Sequence, residues 1–556
     1  MLLSRKGVLA GVFLAVLFCG PFFLSETAAD PRGEGVDVNA SVQYQNGSAV
    51  TIAEDLSAES GEVRVIVGLS TPAETGEADV GTLKEHADRS QANLRRFANR
   101  SEAITVENRF WLTNAVVVTV DTDQVPFDSL ARVRGVERIE PDAEVTLNVS
   151  VGKHPEGPPP QAGPNGPSLG TRADLTAGSV DTTYGLAQIN APDVWAEYDT
   201  RGSGVTVAVL DTGVDADHPD IDLCSTCWAE FDETGEEIEG SDPHDPNGHG
   251  THVSGTVIGG DASGQYIGVA PDSDLLHGKV INDETASMSQ LIAGIEWAVE
   301  QDADVLSVSL GVSGYDLSLE GAIDNAKSNG VTVVVSSGND GEGTSASPGN
   351  YYSTIGVGAT DAQESVAAFS SGETVDPVED FDDDPNGDWP DEYVVPAVAA
   401  PGADVLSAYP GGQWASLDGT SMAAPHVAGA IALVQAATDA DSHDEIASAL
   451  EATASKPDDW DAPDDERDTR YGFGIVDASA SIAHLTGETT APDISLVDAS
   501  IDTTTVLEGE PVTAMATVEN TGDASGTFTA DLRVDGTVVD TASVEVPPGE
   551  IGRAHV

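Results

Sequence analysis

Between residues 179 and 487 the chain repeats one hydropathy pattern. Short runs of consecutive apolar residues, Val205–Leu210, Val305–Val308, Val331–Val335 and Ile355–Val357, alternate with longer stretches whose apolar positions recur three and four residues apart. An uninterrupted apolar run is what a strand covered on both faces requires, whereas a half-exposed strand alternates. The longer stretches, Thr251–Ile258, Ser289–Glu300, Leu319–Ser328 and Ser421–Ala436, have the helical period. Strand and helix in turn predict an α/β fold, a doubly wound parallel sheet with flanking helices. Residues 61–148 differ: strands at Val63–Leu69, Ala115–Val120 and Val133–Ile139, with a polar helix over Thr82–Arg100, make a small α+β unit. Residues 149–178 are dense in Pro and Gly, including Gly157-Pro158-Pro159-Pro160, and read as a linker. Residues 490–556 read as a small all-β module, with strands at Val512–Val518, Thr527–Val534 and Val538–Val546 and a tight turn at Asp535-Gly536.

Composition adds a sign. The 95 acidic residues against 23 basic give a formal charge of −72. Such a surface repels nucleic acid and anionic membranes. It suits a chain kept soluble in concentrated salt, where screening shrinks to roughly 3 Å at 1 M; a carboxylate surface that binds calcium or basic partners is the alternative. Residues 1–29 read as an export signal: Arg5-Lys6, an apolar stretch from Val8 to Leu24, then small residues at Thr27-Ala28-Ala29. Ser4-Arg5-Lys6 is near a twin-arginine signal, so export by a Tat-like route is one expectation. Residues 30–60 are taken as a linker. The expected product is secreted, extracellular, monomeric and free of the membrane once the signal is removed. Two cysteines remain after it, Cys224 and Cys227. A short disulfide is the first reading outside the cell, and half a zinc site completed by His218 or His244 is the second.

Chemistry concentrates at strand ends and helix starts. Asp211 follows the Val205–Leu210 run, at the carboxyl end of a strand, where open parallel sheets gather functional groups. Alone it could be a cap. His249 lies in Asn247-Gly248-His249-Gly250-Thr251-His252, and its flanking glycines let other backbone approach the imidazole. His252, one turn on, reads as structural. Ser421 opens a helix rich in small residues, in Gly419-Thr420-Ser421-Met422-Ala423-Ala424-Pro425, and alone would pass for a cap. Their coexistence changes the reading. A serine hydroxyl becomes a nucleophile when a neutral imidazole takes its proton, and a carboxylate holds that imidazole in the right tautomer. Asn339, after a glycine at the end of Val333–Ser337, could donate its amide with the Ser421 N–H to an oxyanion.

In these segments, with His218-Pro219-Asp220, Ser309-Leu310-Gly311 and Ser337-Gly338-Asn339, the chain resembles the subtilases, the subtilisin-like serine proteases of peptidase family S8. The likeness covers about 180–485 in the family's order, Asp, His, Ser. It implies a subtilisin-like fold and a triad of Asp211, His249 and Ser421, with Asn339 at the oxyanion. It implies that Ser309, Leu310, Gly311, Ser336, Ser337 and Gly338 bind the extended peptide of a protein substrate. Residues 61–148 resemble the family's propeptide, an intramolecular inhibitor and chaperone removed by cleavage between Asn148 and Tyr184. The acidity and the signal make the halolysins of halophilic archaea the nearest subgroup. No organic cofactor is implied, but structural calcium is, with Asp220 as ligand and Asp261 in place of an amide that Ala262 lacks. Asp382, Asp384 and Asn386 resemble the opening of a second calcium loop, against the alternative of an ordinary solvated loop. The C-terminal module resembles CARDB-like β-sandwich domains, which would continue with a further strand after Pro547-Pro548-Gly549-Glu550; ending at Val556, it reads as truncated. A dead protease fold that binds surfaces, and an acid-acting sedolisin-type exopeptidase, are the competing classes. The intact Asp211, His249, Asn339 and Ser421 argue against both.

Overall fold

A seven-stranded, wholly parallel sheet carries the chemistry-bearing part of the chain. The computed structural model describes residues 40–45, 48–53, 56, 59–70, 79–146, 181–282, 285–381, 389–457, 460, 462, 466–487, 494–501, 514–520, 526–534, 537–546 and 551–555. The signal, the linker 149–178, and Asp382, Asp384 and Asn386 lie outside these residues.

The N-terminal unit contains β1 (Ala40–Gln45), β2 (Ser48–Ala53), β3 (Glu62–Leu69), β4 (Ile104–Phe110), β5 (Ala115–Asp121) and β6 (Val136–Pro141), in the order β1-β2-β6-β3-β5-β4. All pairs are antiparallel except β2 with β6. Two of these strands fall in the stretch 30–60 taken as linker, which therefore carries sheet at its C-terminal end. The single helix expected over Thr82–Arg100 is two, α1 (Val80–Ser90) and α2 (Ala92–Ala98), followed later by α3 (Phe127–Ala131). The sheet uses both faces. Val65, Val67, Val116, Val118 and Val120 join the unit's own core, while Ile66, Ala115 and Val117 join a core shared with the next part of the chain. A last short strand, β7 (Glu144–Thr146), leaves this sheet altogether.

After α4 (Tyr184–Gln188) and α5 (Ala191–Glu197) come β8 (Thr206–Asp211), β9 (Trp228–Glu230), α6 (His249–Ile258), β10 (Asp274–Lys279), β11 (Thr285–Ser287) and α7 (Met288–Glu300). The chain continues through β12 (Val305–Val308), β13 (Val312–Ser313), α8 (Glu320–Ser328), β14 (Thr332–Ser336), β15 (Ala346–Ser347) and β16 (Ile355–Thr360). Then follow β17 (Glu373–Val375), α9 (Pro377–Asp380), β18 (Tyr393–Val395), β19 (Val398–Pro401), β20 (Val405–Tyr409), β21 (Gln413–Leu417), α10 (Thr420–Ala437), α11 (His443–Thr453) and α12 (Ala478–Thr486). The parallel order is β19-β16-β14-β12-β8-β10-β9. Its strands are apolar on consecutive positions because each face has its own core. Val207 and Val209 of β8 face α5, α6 and α10, while Ala208 and Leu210 face α7 and α8. Cys224 and Cys227 are joined as a disulfide in the loop before β9.

At the C-terminus β22 (Ile494–Ile501), β23 (Ala514–Asn520) and β26 (Ile551–His555) form one sheet, and β24 (Gly526–Val534) pairs with β25 (Thr537–Val546). The further strand expected after Glu550 is thus present as β26, antiparallel to β23.

Candidate active site

Three neighbouring strands end side by side. Leu210 of β8 is in register with Val308 of β12, and Val308 with Val335 of β14, so Asp211, Ser309 and the Ser336–Asn339 segment emerge from one edge of the sheet. Two helices begin at the same edge, α6 with His249 and α10 with Thr420 and Ser421. Asp211, His249 and Ser421 are buried, at 0%, 2% and 4% exposure.

The approach of α6 to β8 depends on glycine. A Cβ on Gly250 would lie 2.2 Å from the Gly213 carbonyl oxygen and 3.1 Å from the Asp211 Cβ, so only a bare backbone fits. The Gly250 N–H donates to Thr212 Oγ1 at 2.9 Å. Asp245, which sequence reasoning missed, ties the loop before the helix. It accepts from Thr212 Oγ1 (2.9 Å), the Gly248 N–H (2.8 Å) and the Thr251 N–H (2.9 Å). Its signal was an Asp two residues ahead of Asn247-Gly248, a composition that makes Asx turns.

With α6 so placed, His249 Nδ1–H donates to Asp211 Oδ1 at 2.7 Å. The His249 Nε2 atom is buried and has no partner among the described residues. Burial opposes protonation of this imidazole, but the Asp211 charge and hydrogen bond, with Asp245 behind them, outweigh it and raise its pKa above 6.5. His252 is different: buried and donating from Nε2 to the Val405 carbonyl at 2.9 Å, it is pushed down to about 3 by desolvation and stays neutral. That is a structural role.

Ser421 and Ser309 exchange two bonds. Ser421 Oγ donates to the Ser309 carbonyl at 3.1 Å, and Ser309 Oγ donates to the Ser421 carbonyl at 2.9 Å. Asn339 Oδ1 accepts from the Thr420 N–H at 2.8 Å, which turns its amide nitrogen the other way. A Cβ placed on Gly419 would lie 3.6 Å from the Ser421 nitrogen and 3.8 Å from Asn339 Nδ2, so the two nitrogens border one small space. Donors so arranged, at the start of an 18-residue helix, suit a developing negative charge.

The sequence profile of the Subtilase family matches residues 202–474. The chain is 36% identical to Subtilisin Savinase of Lederbergia lenta over 302 residues, 54% of this chain and 97% of that one. The chain belongs to the subtilase family. It is accordingly a serine endopeptidase. It is also 37% identical to Subtilisin of Bacillus pumilus (49% of this chain, 91% of that one) and 39% identical to an intracellular serine protease of Paenibacillus polymyxa (45% and 72%). These relatives are bacterial proteases and not halolysins.

Calcium at Asp220 and Asp261 meets a different donor set in this subtilase. Asp220 is buried, and both its oxygens accept N–H groups, from Ala262 at 2.7 Å and from Trp414 Nε1 at 2.7 Å. Asp261 is exposed, and Ala262 offers no side-chain oxygen. As arranged, these residues do not fit a calcium ion, which takes six to eight oxygens. Among the described residues no group of three or more His, Cys, Asp or Glu could hold a metal.

The residues expected to bind substrate meet the N-terminal unit. β7 runs antiparallel to β11, pairing Thr146 with Thr285, Val145 with Ala286 and Glu144 with Ser287. Val145 lines a small pocket together with Leu310 and Gly311, which directly follow Ser309. The N-terminal unit is anchored again on α7, where Glu296 Oε2 accepts the N–H groups of Trp111 (2.8 Å) and Leu112 (2.9 Å).

Proposed function

We propose that this subtilase is a secreted, salt-adapted endopeptidase, made as a zymogen, that hydrolyses proteins through an acyl-enzyme at Ser421. The observation that carries the reading is the buried His249 imidazole, fixed through Nδ1 by Asp211 and bare at Nε2. In that tautomer Nε2 is the basic atom. The Ser421 hydroxyl leaves the Ser309 carbonyl and gives its proton to Nε2 as its oxygen attacks the peptide carbonyl. Asp211 stabilises the imidazolium. The Ser421 N–H and the Asn339 amide receive the oxyanion, a donor pair of which each member is worth about 2.7–4 kcal/mol in such sites. The imidazolium then protonates the leaving amine, and water releases the acyl group by the same steps in reverse.

The zymogen reading rests on β7. A strand of the same chain lies against β11 and beside Leu310-Gly311, where an extended substrate would pair. Residues 61–148 act as the inhibitor-like propeptide of the catalytic domain 179–487, with cleavage between Asn148 and Tyr184, and Ser309–Gly311 and Ser336–Gly338 pair with the substrate. Salt adaptation rests on the formal charge of −72, and export on the apolar stretch after Arg5-Lys6. The 490–556 strands serve as a CARDB-like module.

The test is labelling of secreted protein with a serine-directed fluorophosphonate, in molar and in low sodium chloride, followed by mass spectrometry. Label on Ser421, a mature N-terminus between 149 and 184, and loss of both label and processing in Ser421→Ala are expected. Label elsewhere, or a processed and active Ser421→Ala, would overturn the mechanism. Equal labelling and an unchanged circular-dichroism spectrum in low salt would overturn the salt adaptation alone.

A further inference from the structure

The pocket beside Val145 has a wall supported from outside the groove. Besides Leu310 and Gly311 it is lined by Leu291, Leu319 and Tyr351. Tyr351 is buried, and its hydroxyl donates to the carbonyl of Asp316, also at the pocket. Its ring does not face the pocket alone. Phe381 meets it with centroids 6.1 Å apart and Trp389 at 5.8 Å. Both rings come from the stretch between β17 and β18.

These rings belong to a wider aromatic set. Phe381 and Trp389 meet edge to face at 5.7 Å, Phe381 meets Tyr315 at 5.1 Å, and Trp389 meets Tyr393 at 5.9 Å. The Tyr393 hydroxyl donates to the Asn350 carbonyl at 2.6 Å, so the backbone just before Tyr351 is tied as well. The antiparallel pair β17–β18, with Glu373 opposite Val395 and Val375 opposite Tyr393, fixes the base of the segment. Edge-to-face rings packed at interior density leave a side chain little room to retreat.

We propose that Phe381 and Trp389 act as a specificity brace: they hold Tyr351 from behind and thereby limit the residue that the pocket beside Val145 accepts to a small aliphatic one. The proposal rests on reading the groove along β11 and Leu310-Gly311 as the peptide-binding groove. Tyr351, Phe381 and Trp389 are positioning residues, acting on substrate choice and not on the bond-breaking step. A wall that can yield by the volume of a ring admits a larger side chain. Discrimination of this kind between apolar side chains in one pocket runs from about 10-fold to 200-fold.

The test uses the processed, secreted enzyme and three peptide substrates that share one scissile bond. One places Val in the Val145 pocket, one places Phe there, and one is shortened so that nothing reaches it. The native enzyme is expected to prefer the Val peptide to both others. In Trp389→Ala the Val-to-Phe ratio of kcat/KM should fall about tenfold, mostly through KM, with the short peptide unaffected. Trp389→Phe should restore the ratio, and Phe381→Leu supplies the same comparison should Trp389→Ala fail to fold. An unchanged ratio with full short-peptide activity overturns the brace, as does an equal loss on all three substrates. If the native enzyme cuts the Val and short peptides equally well, the pocket binds no peptide side chain. That result removes the groove reading and the brace with it, and it is visible before any variant is made.

Discussion

Gly250→Ala sets two well-measured effects against each other. Gly250 is the second residue of α6, and alanine is favoured over glycine in a helix by about 0.8–1.0 kcal/mol. By propensity alone the variant should be more stable. The surroundings say otherwise, because the new methyl would lie 2.2 Å from the Gly213 carbonyl oxygen where ordinary contact begins at 3.4 Å. Backbone cannot swing aside as a side-chain tip can, so the helix start must withdraw by about 1 Å, at an overpacking cost of roughly 1–3 kcal/mol. The net effect on stability is a loss of about 0–2 kcal/mol, which is modest. Activity is far less forgiving. The same withdrawal pulls His249 from Asp211, now 2.7 Å away, and stretches the Gly250–Thr212 bond. A misplacement of about 1 Å in catalytic geometry costs on the order of 100-fold. Peptide hydrolysis and thermal melting of the same preparation should therefore show kcat/KM down about a hundredfold while the melting temperature moves by only a few degrees. A variant with native kcat/KM and a higher melting temperature would show that propensity rules this position and that the close approach is not what seats His249.

Two pH effects follow from buried groups. The raised pKa of His249 means that its ion pair with Asp211 contributes stability fully below the ordinary value of 6.5, and that this is lost as pH rises through the higher folded value; the neutral base appears over the same interval, so the acid limb of kcat/KM should have its midpoint above 6.5, and a midpoint at or below that value would contradict the assignment. Burial under the N-terminal unit pushes the Glu296 carboxyl from 4.5 up to about 8, against the pull of the Leu112 and Trp111 N–H groups and with Glu300 adding and Lys84 subtracting. Docking therefore takes up a proton, is strongest below 4.5 and weakens as pH rises through about 8. In the uncut Ser421→Ala precursor, hydrogen-exchange protection of the Trp111 and Leu112 amides, corrected for intrinsic rate, should fall over that range and lose its pH dependence in Glu296→Gln; flat protection in the parent would refute the linkage.

What the sequence disclosed tracks how local the cause was. Strands buried on both faces are legible as unbroken apolar runs, and β12 lies at Val305–Val308 as read. β10 was not read, because Leu275-Leu276-His277-Gly278-Lys279 carries a His and a Lys that only the fold buries: His277 Nδ1 pairs with Ser254 Oγ at 2.9 Å, and the Lys279 ammonium donates to the Ile281 carbonyl. β1 and β2 were taken for linker because their order depends on pairing with β6, far along the chain. At the site the same division holds. Asp211, His249 and Asn339 stand next to glycines or at an apolar run end, and Ser421 opens a helix rich in small residues, so all four could be named. Asp245 accepts N–H groups within its own loop and had only Asx-turn composition to mark it, whereas Glu296 accepts those of the distant Trp111 and Leu112, which no residue type advertises. Asp220 was legible as a carboxylate, but not its partners, since Trp414 Nε1 comes from almost two hundred residues further on.

Charge explains how the N-terminal unit can dock on so acidic a partner, and burial explains how it stays docked in salt. Ten of the 23 basic residues fall within 61–148. Two of them reach across: Lys84 to Glu300 at 2.5 Å and Arg64 to Glu233 at 3.7 Å. These pairs are partly exposed, and at molar salt, with screening near 3 Å, they contribute little. The contacts that remain are centred on α7 and are buried. Asp142 accepts the Ser289 N–H at 3.0 Å in the first turn of that helix, while Glu296 further along accepts two N–H groups in return. Phe110, Leu112 and Val117 pack with Leu291 and Ile295 in a single apolar core. Salt can weaken only the first class, so dilution into brine should not free the groove along β11. Release then needs either cleavage between Asn148 and Tyr184, which removes the tether, or an event that acts on the second class, such as deprotonating Glu296, which places an added charge under the interface.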